Sequence, residues 1–262
     1  DRVVALVHSD RSGSLATLPT DDGHVEEQEA KRALVEIAAT LRVQESGYLR
    51  VLDEGALADW AEEHDAVLRL RVRPGDFVVT NATIGEVTPA AVRDEAQAAL
   101  ARCLTLGDSR SVEQDLEFAV RQLVEVGLRA LSPSLNDPFT AIAVLDRLGA
   151  ALGELAARRL PDGCTRRNGR LRVSRPATDY AGLLDAMFHL LRQASASQPA
   201  VLIRLLEVLA QVASVEHDPN RRDGLRRHAD LARELALRGS ADPTVREAVV
   251  ERHAQVVAVL GT

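Results

Sequence analysis

Aromatic side chains are almost missing from this chain. Phe, Trp and Tyr make up 3% of its 262 residues, and there is a single Met, so the core has to be built from Ala, Leu and Val. Small aliphatic residues at this density favour helix, and a hydrophobic content of 46% is that of a chain that folds on its own core. Lysine is missing too, apart from Lys31: all the rest of the 32 basic residues are arginine. GC-rich coding explains that bias more simply than a demand for guanidinium chemistry. The two cysteines, Cys103 and Cys164, lie far apart with no CxxC or Cys/His surroundings. A zinc site and a disulfide framework are therefore not indicated, and a reducing compartment fits best. The net charge of −7 argues against a general nucleic-acid binder, which needs clustered cations in a favourable field.

The sequence also lacks any apolar run long enough to span a bilayer, and no signal peptide opens it. It starts at Asp1 with Val-Val-Ala-Leu-Val and no initiator Met, from which upstream sequence with hydrophobic segments of about 20 residues is expected. Enzyme signatures are absent as well. There is no GxSxG elbow, no P-loop, no GxGxxG after a strand and no HExxH, and His8, His24, His64, His189, His217, His228 and His253 are scattered without metal-ligand spacing. A lone helical His such as His189 or His228 is expected at a surface or satisfied boundary position. No catalytic residue, metal site or cofactor is read, and the sequence leans away from an enzyme.

What is present falls into three parts. Residues 1–41 read as a connector with an apolar run at Val3 to Val7 and one helix from Val25 to Leu41. Residues 42–88 change to short strands: Tyr48 to Leu52, the strictly alternating Val67 to Val72, Phe77 to Val79 after the Arg73-Pro74-Gly75-Asp76 turn, and Ile84 to Val87, with a short helix at Glu54 to His64. This small β module resembles a barrel-sandwich hybrid in pattern. Carrier versions of that fold load a cofactor on a hairpin lysine, and the segment has none, which leaves only a structural use. Residues 89–262 read as a helical domain of seven helices, at 90–104, 112–131, 138–158, 179–194, 198–214, 219–238 and 243–260. The helix at 138–158 is apolar almost all round and is expected to be central. The fold expected is α+β, mainly α: a small β module followed by a multi-helix bundle.

A basic hairpin interrupts the helices near 162–176. Arg166, Arg167, Arg170, Arg172 and Arg175 surround the Asn168-Gly169 turn, and this run is read either as a solvated hairpin or as a contact for anionic lipid. On the helix at 112–131, Val112, Leu116, Ala119, Leu123 and Leu128 make the expected core stripe, and Glu113, Glu117, Arg121, Glu125 and Arg129 a solvent-facing charged ladder. Asp115, Phe118 and Gln122 share an edge beside that stripe. In Ser132-Pro133-Ser134-Leu135-Asn136-Asp137-Pro138, Asp137 followed by proline is a strong helix start. The alternative is that Ser132, Asn136 and Asp137 form a functional loop at the positive end of the helix. Asp115 and Gln122 are expected to meet that loop in one polar network, a brace or a ligand site. Asp146, the lone carboxylate of the stretch from Phe139 to Leu152, needs an ion-pair partner, for which Arg147, Arg121 and Arg129 are candidates. Gly149 and Gly153 allow close helix packing.

Two stretches, Ser111-Val112-Glu113-Gln114-Asp115-Leu116-Glu117-Phe118-Ala119-Val120-Arg121-Gln122-Leu123-Val124 and Arg129-Ala130-Leu131-Ser132-Pro133-Ser134-Leu135-Asn136-Asp137-Pro138-Phe139-Thr140-Ala141, resemble the signature of the bacterial predicted membrane proteins grouped as domain of unknown function 2254. The run from Ser46 to Val79, with SGYLRVLD and VLRLRVRPGDFVV, is similar to the same family's preceding module. The resemblance implies a transmembrane region upstream of residue 1 as this part's partner and placement at the cytoplasmic side of the bacterial inner membrane; a homo-oligomer is expected because a β module as small as residues 42–88 has a limited core of its own. The role it implies is assembly, gating or regulation of that region, as in a channel or transporter. A small-ligand sensor is the alternative, and an enzyme without a readable motif the second one.

Overall fold

The computed structural model describes residues 38–261. The apolar run at Val3 to Val7, Lys31, His8, His24 and most of the expected first helix lie outside the described residues. The fold is α+β and mainly α. The described chain divides into two compact units, one of residues 38–118 and 161–177, the other of 119–160 and 178–261.

The first unit holds two sheets. A five-stranded sheet runs in the order β1 (Ala39–Arg42), β5 (Thr83–Thr88), β3 (Val67–Leu70), β8 (Arg170–Ser174), β7 (Cys164–Arg167), and a three-stranded sheet runs β4 (Phe77–Val78), β2 (Gly47–Leu52), β6 (Leu104–Gly107). Between the strands come helices α1 (Glu54–Glu63) and α2 (Arg93–Cys103). Asp53 starts α1 by accepting from the Ala56 amide at 2.9 Å, and the helix buries Leu57, Ala58 and Ala61. Leu41, Leu52, Leu68, Leu70, Val78, Val87 and Val173 from the two sheets join them and Leu100 of α2 in a single core. Two sheets thus share one core, as the sandwich-like pattern requires, and two helices complete it.

Three elements differ from the sequence reading. Leu41, expected at a helix end, lies in β1 opposite Gly85 and is fully buried. The segment Ala39-Thr40-Leu41-Arg42 alternates as well as it continues a helical period, and pairing decided between the two. The helix expected to reach Leu104 stops at Cys103, and Leu104 begins β6 along β2. The basic hairpin supplies β7 and β8, with β8 running parallel to β3. Its Asn168-Gly169 turn has positive φ at both residues (48° and 76°), the conformation of a two-residue hairpin.

The second unit is helical: most of α3 (Leu116–Ala130), α4 (Pro138–Ala156), α5 (Tyr180–Ala194), α6 (Pro199–Ala213), α7 (Pro219–Gly239) and α8 (Pro243–Gly261). Pro138, Pro199, Pro219 and Pro243 each open a helix, where a missing N–H costs nothing. The central helix is α6, which packs on α4, α7 and α8. The sequence pointed to α4, but that helix keeps an exposed edge at Ala143, Arg147 and Ala150. Gly149 does allow α4 and α6 to approach, because a Cβ there would stand 2.5 Å from Val208; Gly153 meets nothing within 4 Å. At one end, three arginines of α7 donate to carbonyls at or just beyond the last turns of other helices. Arg221 reaches Leu155 and Arg158, Arg222 reaches Ala213, Glu216 and Val259, and Arg226 reaches Leu260. Cations on these orphan acceptors hold three helix C-termini together.

Candidate functional site

Two signature segments meet inside the first unit. The turn at Arg73 to Asp76 is closed by the Arg73 amide donating to the Asp76 carboxylate (2.9 Å), with Gly75 at φ 98°. Two backbone bonds tie it to β2: the Gly75 N–H donates to the Leu49 carbonyl (2.7 Å) and the Leu49 N–H to the Asp76 carbonyl (2.8 Å). Over the turn lies the start of α3. Asp115 accepts from Arg110 through Nε (2.8 Å) and a terminal nitrogen (2.5 Å), and its other oxygen caps the helix by accepting from the Phe118 amide at 3.0 Å. Arg73 donates to Glu117 at 2.7 Å, and the Arg110 guanidinium stands 5.2 Å from the centre of the Phe118 ring. Gln114 pairs with both backbone groups of Leu52. Glu117, expected in a solvent-facing ladder, is buried here. Its burial is tolerable because Arg73 neutralises it. Both carboxylates thus pair with arginines, an arrangement that braces the turn.

The loop between α3 and α4 is tightly held. The Asn136 N–H donates to the Ser132 carbonyl and the Asp137 N–H to the Ala130 carbonyl, both at 2.8 Å, and Asn136 takes a left-handed φ of 45°. Asp137 accepts from the Thr140 amide (3.1 Å) and hydroxyl (2.5 Å); the hydroxyl bond first, and the amide bond after it, hold its carboxyl below the usual carboxylate range. Ser132 and Ser134 share a hydroxyl contact at 3.1 Å, and Gln198, before α6, donates to Asn136 at 2.6 Å. Ser132, Asn136 and Asp137 therefore act within one turn. Of the other residues expected to meet them, Gln122 is exposed and Asp115 takes its bonds from Arg110 and Phe118. Two large apolar side chains at this junction stay in solvent, Leu135 of the loop at 63% exposure and Phe139 of the first turn of α4 at 80%.

Asp146 accepts from Arg204 Nε at 2.7 Å, a partner on α6 outside the expected arginines. Arg204 also binds Glu207 (2.9 Å), and Glu207 binds Arg252 of α8 (3.0 Å), so one chain of charges links three helices. Burial pushes the Glu207 carboxyl up, but bonds from Arg204 and Arg252 outweigh it and hold it low.

The hairpin arginines face α1. Arg167 pairs with Asp59 (2.6 Å), Arg172 with Asp65 (2.9 Å) and Arg175 with Glu54 (2.6 Å), while Arg170 stands 3.6 Å from Asp65 and Arg166 3.1 Å from Asp162. Asn168 donates to Glu62. Apart from Asp162, four residues before Arg166, the complementary carboxylates lie about a hundred residues upstream, so no local pattern marks them.

Sequence reasoning missed the seam between α5 and α7. His228, expected at a surface or boundary, is fully buried there; its Nε2 stands 3.2 Å from Asp185, and its ring lies edge-on to Phe188. Burial, then the charge of Arg227, lowers its pKa from 6.5 to about 4. Among the described residues no group of His, Cys, Asp and Glu is arranged to hold a metal ion, and no helix is long and apolar enough to cross a membrane.

A family model described as "Predicted membrane protein (DUF2254)" matches residues 1–211. "Uncharacterized protein Rv1290c" of Mycobacterium tuberculosis (strain ATCC 25618 / H37Rv) is 33% identical over 229 residues, covering 85% of this chain and 44% of its own. "Uncharacterized protein Mb1321c" of Mycobacterium bovis (strain ATCC BAA-935 / AF2122/97) matches to the same extent. The chain thus spans less than half the length of these relatives. No solved structure matches it.

Proposed function

Since the chain belongs to the DUF2254 family of predicted membrane proteins, we propose that it is an extramembrane part that assembles with, and regulates, a transmembrane region of the same protein. The observation that carries this reading is the loop between α3 and α4 together with the first turn of α4. Its backbone is fixed by the Asp137 cap and the Asn136–Gln198 bond, yet it presents Leu135 and Phe139 to solvent. Burying such a side chain is worth roughly 1.5–3 kcal/mol, and a rigid, well-capped loop that leaves two of them outside is suited to burying them against a partner. The occupant we assign is the protein's own membrane-embedded part, placed at the cytoplasmic face of the bacterial inner membrane in a homo-oligomer. Gating or regulation follows from that contact, because a movement of either part changes how the loop is buried.

The test is the full-length protein in detergent with Leu135→Ser and Phe139→Ser combined. The expected result is an unchanged melting temperature for residues 1–262 alone and loss of the detergent-stable assembly. If the full-length assembly and its melting are untouched by the pair, the loop is not the contact.

A further inference from the structure

The three-stranded sheet ends on one side in a short apolar strand whose outer edge is open. Phe77 of β4 and Val79 just after it stand in solvent, at 57% and 56% exposure, in a chain that has only four Phe. Phe77 lies opposite Tyr48 of β2, with the rings edge-on at 5.0 Å, while Val78 between Phe77 and Val79 joins the core. Leu49 of β2 turns both its N–H and its C=O to the β4 side, to Asp76 and Gly75. Strand alternation then gives the inward bonds of β4 to Val78, opposite Gly47, and turns the N–H and C=O of Phe77 and the N–H of Val79 to the free edge. Among the described residues no side chain bonds these groups. The Val79 carbonyl closes a turn by accepting from the Ala82 N–H at 2.9 Å, so the open edge is short.

Other strand backbone is guarded. Gln97 of α2 bonds both the N–H and the C=O of Arg42 in β1 (2.9 and 2.7 Å), and Arg93 reaches the Thr40 carbonyl at 3.4 Å. Gln114 does the same for Leu52, where β2 runs on past β4. An unguarded edge of exposed apolar residues is a template for another strand. The stretch from Phe77 to Thr80 also carries no charge, so two copies of it meet without repulsion.

We propose that β4 pairs antiparallel with β4 of a second copy, about a two-fold axis at Val78, so that Phe77 of each copy lies opposite Val79 of the other. The spacing fits that operation: exposed residues at i and i+2 become two aromatic–aliphatic cross-strand pairs, and they exchange the backbone groups that alternation turns outward. The pairing rests on the homo-oligomer put forward above and names its surface; it does not involve Leu135 or Phe139. A contact this short falls below the area of a stable complex. Two copies held in one membrane assembly meet at an effective concentration on the order of millimolar, which a weak contact needs.

The experiment follows residues 1–262 by sedimentation equilibrium at up to about 1 mM, the effective concentration of a tethered pair. The wild type should dimerise. Val79→Lys, at an exposed position, should melt as the wild type does and weaken the dimer by roughly tenfold or more, because it sets a cation against the partner's edge. Phe77→Glu alone should do the same. A one-to-one mixture of Phe77→Glu and Val79→Lys chains should dimerise again, since the register sets the two new charges face to face. Leu135→Ser with Phe139→Ser should leave the dimer intact, so failure of the loop contact and failure of this pairing read out separately. A monomer at that concentration, a dimer indifferent to Val79→Lys, or a mixture that does not recover overturns the proposal.

Discussion

Gly75 packs directly beneath Asp115: a Cβ at residue 75 would overlap the Asp115 carboxylate and stand 2.8 Å from an Arg110 nitrogen. The glycine of the turn and the acid that opens α3, 40 positions apart in sequence, are one structural device. The backbone comes close because it has no side chain, and the carboxylate is held in place by a guanidinium and a helix N-terminus.

Gly75→Ala should therefore be severe. It forces an L side chain into φ 98° and into an ion pair at once, and the conformational term alone is about 1–2 kcal/mol. We expect a loss above about 2 kcal/mol in urea unfolding. A loss under half of that would mean that the turn readily moves away from α3.

Asp115→Ala should cost about 2–4 kcal/mol, since it removes a helix cap and strands a largely buried Arg110. Arg110→Met combined with it should recover part of the loss. The pair of melts checks this, and equal instability of single and double variants would count against the brace.

The acid side of the stability profile should carry the mark of His228. Its folded pKa of about 4 lies below the ordinary 6.5, so protonation favours the unfolded chain. Stability is full above pH 6.5 and falls as the pH drops towards 4, by an amount on the order of 3 kcal/mol. Bonds that hold Glu207 low add loss in the same direction. His228→Gln should flatten the profile between pH 6.5 and 4 without touching the Glu207 part; an unchanged slope in denaturant melts across that window would exclude the buried neutral imidazole.

The charge chain through Arg204 should matter little by comparison. Its Asp146 end is 42% exposed, so a double-mutant cycle on Asp146 and Arg204 should give a coupling below about 1 kcal/mol, shrinking in about 1 M salt. A larger, salt-insensitive coupling would show that the pair is shielded from solvent.

Most of the helices were legible in the sequence, and so were the starts that carry their own cap, although the helix expected from Val112 begins only at Leu116. Asp137-Pro138 and Asp218-Pro219 each put an acceptor and a proline where a helix needs them, and these signals are local. The sequence by itself also determined the hairpin turn at Asn168-Gly169 and the strands at Val67 to Leu70 and Tyr48 to Leu52, whose alternation matches a half-buried sheet. Tertiary structure decided what depended on distant residues. Leu41 became strand because β5 was there to pair with it, and β8 found β3 across a hundred residues. Among the site residues, Asp137 was legible as a cap, whereas the partner of Asp146 and the burial of Glu117 and His228 were not. A charge or an imidazole on a helix carries no local sign of whether its counterpart, Arg204, Arg73 or Asp185, will arrive from another element, and burial of an ionisable group is set by that arrival.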